Sequence, residues 1–171
     1  DWVAPVLEDH RTDVEAPEWQ GRMIRFGEET NVRALKHAAR GEGWDVTVLP
    51  VDAFGRVSIE DVARALPPDT ALVSVMHANN EVGTINDIAG VAQVVRRHAP
   101  QAVLHTDAVQ AACWLDLRTI TPHVDFLALS AHKFGGPKGV GVLVVRDGSD
   151  FEPALIGGGQ ERERRSGTHN V

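Results

Sequence analysis

Strand-like apolar runs alternate with helical patterns through most of the chain, and this alternation limits the fold more strongly than any other feature. Four runs have the length and composition of buried strands: 44–49, 71–76, 103–105 and 126–129. Apolar residues at helical spacing lie between them at 59–66 and 88–98. Such alternation predicts an α/β fold in three layers, with a mostly parallel sheet and helices on both of its faces.

Less regular patterns extend this prediction toward both ends of the chain. They indicate strands at 22–26 and 140–145, a helix at about 30–40 and the start of a helix at 108–112. Ser58 is a candidate cap for the helix at 59–66, since its hydroxyl can accept a hydrogen bond from the first turn.

The composition excludes several functional classes. The chain has 171 residues, 43% of them apolar, and a net charge of −7, which argues against a nucleic-acid-binding or membrane-binding protein. No apolar run approaches the roughly 18 residues of a membrane span, and the acidic first residues do not resemble a signal peptide, so a cytoplasmic location is expected. Cys113 is the one cysteine, which excludes an internal disulfide; its apolar neighbours predict a buried structural thiol.

Polar residues follow three of the predicted strands. Parallel strands point the same way, so the loops after Met76, His105 and Ser130 are expected to meet at one edge of the sheet. The polar side chains in these loops include amides, a carboxylate, a hydroxyl, an imidazole and an amine. They are Asn79 and Asn80 after Met76, Asp107 and Gln110 after His105, and Ser130, His132 and Lys133 at the end of the last strand. Taken singly, each has an ordinary explanation: a turn asparagine, a helix cap, or a solvated loop residue.

Together these groups match the requirements of pyridoxal phosphate (PLP). A lysine amine such as Lys133, leaving a buried strand and expected to be partly desolvated, can form a Schiff base with the cofactor. A carboxylate such as Asp107 can face the ring nitrogen and keep it protonated. Asn80 and Gln110 can hold the phenolic oxygen. Ser130 and His132, which flank the lysine, can hold the phosphate.

Two other ligand classes compete with PLP. A metal site would use His77, His105, Asp107 and His132, but no third ligand has a spacing that fixes such a site. A nucleotide site is less well supported, because the segment 135–139 lacks the glycine, lysine and serine or threonine order of a P-loop.

From about Val46 onward the chain resembles the cysteine desulfurases, which belong to the class V branch of the fold-type I PLP enzymes. The matching segments are VTVLPVDAFGRV, MHANNEVGTINDI, HTDAVQAA, SAHKFGGPKGVGVLVVR and GGGQERERRSGTHNV. The resemblance implies that Lys133 carries PLP and that Asp107, Asn80, Gln110, Ser130 and His132 contact it. It also implies a homodimer in which Thr168 reaches the phosphate of the other subunit.

The same resemblance implies an activity: sulfur is transferred from L-cysteine to an acceptor protein, alanine is released, and the sulfur enters iron–sulfur cluster assembly. A selenocysteine lyase is a related alternative. A catalytically silent fragment or pseudoenzyme of the same fold is another.

The sequence departs from the family pattern in three places. Glu29 stands where an ungapped count from Gly43 expects a histidine that stacks on the cofactor ring. Residues 1–21 show no glycine-rich phosphate loop, and the family's small domain, with its nucleophilic cysteine and arginine, would follow Val171. We therefore expect 1–21 to be a divergent segment and 22–171 to be an incomplete PLP-binding large domain.

Overall fold

A computed structural model describes residues 22–26, 43–149, 151–153 and 156–167, with the backbone alone described for the first of these ranges. Six strands and two α-helices occur in these residues, in the order β1 (Arg22–Phe26), β2 (Asp45–Val48), α1 (Ile59–Ala65), β3 (Thr70–Met76), α2 (Ile88–His98), β4 (Val103–Asp107), β5 (Phe126–Ser130) and β6 (Gly141–Val145). The strands form one sheet in the order β2-β1-β3-β4-β5-β6. All neighbours are parallel except β5 and β6, which are antiparallel. The predicted α/β fold with a mostly parallel sheet is confirmed.

Both described helices begin at side-chain caps that the sequence supplies. Ser58 accepts a hydrogen bond from the Asp61 backbone N–H at 3.1 Å at the start of α1, as its position in the sequence predicts. Asp87 accepts one from the Gly90 N–H at 2.9 Å at the start of α2. The capped first turn fixes where each helix leaves its loop.

The hydrophobic core lies between these helices and one face of the sheet. Alternate strand residues such as Val73, Val75 and Leu104 are fully buried, and Val91 and Val95 of α2 pack in the same cluster. Burial alternates along β4, whereas the last four residues of β3 are all buried, as expected of a strand covered on both faces. The predicted helix at 30–40 lies outside the described residues. In the part of the chain that the structure describes, no helix is long and apolar enough to span a bilayer.

The structure differs from the sequence prediction after β4. That strand continues to Asp107 instead of ending at residue 105, and the helix predicted at 108–112 is a single 3₁₀ turn, Ala111–Cys113. The Ala108 N–H is bound to the Ala128 carbonyl of β5 at 3.0 Å, which holds the backbone in the sheet where a helix would have begun. Cys113 is exposed on this short turn, so the prediction of a buried thiol is wrong.

A buried carboxylate joins α2 to three strands beside the core. Asp125, just before β5, is 9% exposed. Its oxygens accept hydrogen bonds from Arg96 of α2 at 2.7 and 2.8 Å and from the Leu104 backbone N–H of β4 at 2.7 Å. Arg146, which follows β6, approaches the same carboxylate at 3.3 Å. One side chain thus satisfies groups from separate elements.

Candidate functional site

Strands β3, β4 and β5 end at the same edge of the sheet, which we call the carboxyl edge. The register places Met76 beside Asp107, and Asp107 beside Ala128. Beyond the end of β3, the His77 backbone N–H donates to the Asp107 carbonyl at 2.9 Å. The three loops that the sequence predicts to meet therefore leave the sheet side by side.

Asp107 is half-buried at the end of β4. Its Oδ1 accepts a hydrogen bond from the Val109 backbone N–H at 2.9 Å, two residues ahead. The side chain thus accepts from a nearby backbone N–H, as a helix cap would, although no α-helix follows. This hydrogen bond fixes the direction of the carboxylate.

Two buried polar atoms at the carboxyl edge have no partner within the described residues: the Oε1 of Gln110 and the Nδ1 of His77. Burial lowers the pKa of His77 below its usual 6.5, against an opposing hydrogen bond to the Asn86 backbone, so this imidazole is neutral at pH 7. Buried polar groups are rarely left unsatisfied in folded proteins, so these atoms mark a place where a further polar group fits.

The lysine loop begins where β5 ends. Ser130 is buried, and a 3₁₀ turn, Ala131–Phe134, carries Lys133. Gly135 closes this turn at φ 84°, a left-handed conformation that favours glycine. A Cβ on Gly136 would lie 2.7 Å from the Ala131 Cβ, so the chain folds back here too closely for a side chain.

Hydrogen bonds within the protein orient several groups in the lysine loop. The Ser130 Oγ and the His132 Nδ1 are 2.7 Å apart and hydrogen-bonded. Lys133 is exposed, so the expected partial desolvation of its amine is not found in this structure. Its carbonyl accepts a hydrogen bond from the Cys113 thiol, with 2.7 Å between Sγ and the oxygen. No sequence pattern indicates that contact.

The two asparagines after β3 differ in their surroundings. Asn79 Oδ1 accepts hydrogen bonds from the Glu81 and Val82 backbone N–H groups, both at 2.9 Å, so its explanation as a turn residue is confirmed. Asn80 is exposed, and its amide makes no hydrogen bond with the described residues. Of the two, Asn80 is the one whose amide is available to a ligand.

Sequence reasoning missed Asn86, which ties the loop after β3 to the segment before α1. Its Oδ1 accepts from the Val57 backbone N–H at 2.9 Å, and its Nδ2 donates to the Met76 carbonyl at 2.8 Å. Its backbone N–H also donates to the His77 carbonyl at 2.9 Å. A lone asparagine one residue before a helix cap carries no signal that distinguishes it from a turn residue.

We expect Asn86→Ala to lower the free energy of unfolding by about 2 kcal/mol, because the Met76 carbonyl and the Val57 N–H would lose their partners. Denaturant melts measure the change. Asn80→Ala is the matched control and is expected to change stability by less than about 0.5 kcal/mol, since that side chain is exposed. Equal losses in the two variants would contradict a structural role specific to Asn86.

The competing metal site is not assembled. His105 is bound to the buried Ser74 hydroxyl through Nδ1 at 2.8 Å. Within the described ranges, no three histidine, cysteine or carboxylate side chains group closely enough to hold a metal ion. Thr168 and Glu29 lie outside the described residues.

A family model described as aminotransferase class V matches residues 23–170. The chain belongs to the class-V aminotransferase family. One curated relative, a cysteine desulfurase IscS from Methanosarcina thermophila, is 46% identical, and the match covers 92% of this class-V chain and 42% of the relative. A putative cysteine desulfurase IscS 1 from Bacillus subtilis is 47% identical over 77% of this chain and 34% of the relative.

Solved structures agree with this family. A NifS-like protein superposes with a TM-score of 0.82 at 36% identity, over 99% of this chain and 44% of that chain. A structure described as SspA in complex with cysteine superposes with a TM-score of 0.79 at 37% identity, over 90% of this chain and 44% of that chain. This class-V chain therefore spans less than half the length of the relatives that it matches.

Proposed function

We propose that this chain forms part of the PLP-binding large domain, residues 22–171, of a cysteine desulfurase. The observation that carries the proposal is the arrival of the Asp107 turn and the Lys133 turn at one edge of a parallel sheet. The family match and the names of the relatives support the cofactor and the substrate. The activity is transfer of sulfur from L-cysteine with release of alanine.

The residues present at the carboxyl edge fit PLP. The Lys133 amine would hold the cofactor, and the Asp107 carboxylate would face the ring nitrogen. The Gln110 amide has a buried end without a partner, and a half-turn of the side chain would present its NH₂ there. With Asn80, it would hold the phenolic oxygen. Ser130 and His132 would bind the phosphate, joined by Thr168 of the second subunit.

PLP, when bound, withdraws electrons from the substrate Cα. The Asp107 carboxylate, whose direction is fixed by the Val109 N–H, would accept a hydrogen bond from the ring nitrogen and so hold the proton there. Ser130 and His132 can turn from each other to donate to phosphate oxygens. The exposed Lys133 amine would accept and return a proton at the substrate Cα.

Covalent trapping tests the cofactor assignment. The protein would be incubated with PLP, reduced with borohydride, digested and mapped by mass spectrometry. We expect the adduct on Lys133 in the wild type and no adduct in this loop in Lys133→Ala. Lys138→Ala is the matched control, because it removes the other lysine of the loop and is expected to leave the adduct in place. An adduct on Lys138, or none on Lys133, would contradict the assignment.

We propose further that the whole protein is a cytoplasmic homodimer that passes sulfur to an acceptor protein for iron–sulfur cluster assembly. Substrate choice is tested by comparing sulfide release from cysteine with selenide release from selenocysteine. A strong preference for selenocysteine would replace the desulfurase assignment with a lyase of the same family.

A further inference from the structure

A thiol hydrogen bond connects the two turns of the proposed cofactor site. The 3₁₀ turn Ala111–Cys113 starts from Gln110 and ends at Cys113, whose Sγ lies 2.7 Å from the Lys133 carbonyl oxygen. Lys133 itself lies in the 3₁₀ turn Ala131–Phe134. The contact therefore crosses from the loop of Asp107 and Gln110 to the loop of the lysine.

The carbonyl that receives this thiol needs an outside donor. In the one-turn helix around Lys133, the Ala131 carbonyl accepts from the N–H groups of both Gly135 and Gly136. The last carbonyls of a helix have no partner within it, and the Lys133 carbonyl is one of them. Within the part of the chain described, the Cys113 thiol is the donor found for it.

Holding a carbonyl fixes the plane of its peptide. That plane sets the direction in which the neighbouring Cα projects its side chain, because the backbone has only two soft dihedrals for each residue. Gly135 and Gly136 lie directly after this peptide and permit several backbone conformations. A hydrogen bond to the Lys133 carbonyl therefore restricts a segment that its own sequence leaves flexible.

We propose that Cys113 is a positioning residue for Lys133: its thiol donates to the lysine's carbonyl and thereby orients the amine toward the Asp107 and Gln110 side. The inference rests on the proposed function. It assigns no chemistry to the sulfur, which acts only through the Lys133 backbone.

Serine and alanine separate the hydrogen bond from the bulk of the sulfur. Cys113→Ser keeps a donor at this position, and Cys113→Ala removes it; both changes are at an exposed site. We expect the PLP dissociation constant, measured from the visible absorption of lysine-bound PLP, to rise about two- to fivefold in the alanine variant. The serine variant should stay within about twofold of the wild type.

Thiol reactivity gives a second readout that does not depend on activity. Alkylation requires a thiolate, and a thiolate cannot donate a hydrogen bond to the Lys133 carbonyl. If bound PLP fixes the Lys133 turn and keeps this hydrogen bond formed, alkylation of Cys113 should become slower. We expect bound PLP to slow iodoacetamide labelling of the tryptic peptide 98–118, which contains Cys113, about two- to fivefold. In Lys133→Ala, PLP should have no such effect.

The outcomes separate this inference from the proposed function. If wild-type protein forms no lysine-bound PLP, the proposed function fails, and the positioning role fails with it. A second outcome concerns the variants of a wild type that does bind PLP. If the serine and alanine variants have the same affinity for PLP, whether or not it is lower than that of the wild type, the hydrogen bond has no positioning role and the inference is overturned. The inference is also overturned if saturating PLP leaves the rate of iodoacetamide labelling of Cys113 unchanged.

Discussion

Replacing Asp107 by asparagine is expected to lower the turnover of cysteine by about 10²- to 10³-fold in the protein that contains this chain. Asparagine keeps the side-chain oxygen that accepts from the Val109 N–H, so the turn and the end of β4 should persist. The negative charge that would hold a proton on the cofactor ring is lost. The loss should appear in kcat, measured by alanine formation, with circular dichroism unchanged.

Asp116→Asn is a closely matched control for this change. Asp116 forms the same kind of local turn, with its Oδ1 accepting from the Arg118 N–H at 3.0 Å, and it lies close to the same loop in the sequence. Its pKa is lowered to about 2, first by the Arg118 side-chain hydrogen bond, so it is charged at neutral pH. We expect unchanged turnover in Asp116→Asn. Equal losses in both variants would assign Asp107 a structural role only.

Removal of the buried carboxylate at Asp125 is expected to lower the free energy of unfolding by about 3–5 kcal/mol. Asp125→Ala would leave the Leu104 N–H without its acceptor and would strand the half-buried Arg96 charge beside the core. The effect is large because Leu104 is fully buried, so its N–H cannot reach water while the chain stays folded. Denaturant unfolding followed by tryptophan fluorescence measures it.

An exposed ion pair provides the comparison for Asp125. Arg64 and Asp61 lie 2.8 Å apart on α1, with the arginine side chain 75% exposed. Arg64→Ala should cost less than about 0.5 kcal/mol, because water and side-chain entropy offset the attraction of such pairs. A loss in Asp125→Ala as small as that in Arg64→Ala would show that the carboxylate is not required to join α2 to the sheet.

The strand and helix order was predictable because burial leaves a strong periodic signal. The sequence ranges for α2 and β1 agree with the structure, and those for β3, β5 and β6 differ from it by a residue at one end. Local pattern failed after Asp107, where a helix was expected. A hydrogen bond from Ala108 to β5, 20 residues further along the chain, decides the conformation there, and no local window contains it.

The candidate site was predictable only in outline. Parallel strands require the Asp107 and Lys133 loops to share an edge, so their convergence follows from the order of elements. The partners of individual side chains do not follow from that order. Asn86, the Cys113 thiol and the Asp125 carboxylate all act through contacts between residues distant in sequence, and the exposure of Lys133 depends on how one short turn closes.

The reversed direction of β6 has a consequence for the order in which the site assembles. Paired residues of β5 and β6 are 11 to 19 positions apart in the chain, whereas those of β4 and β5 are 21 apart and those of β3 and β4 are 31 apart. Short loops close with less loss of entropy, so the hairpin that contains Lys133 should form first during folding. The amine is then in place before long-range pairing brings in the carboxylate, and a chain that stalls between these steps presents a reactive lysine without its acid.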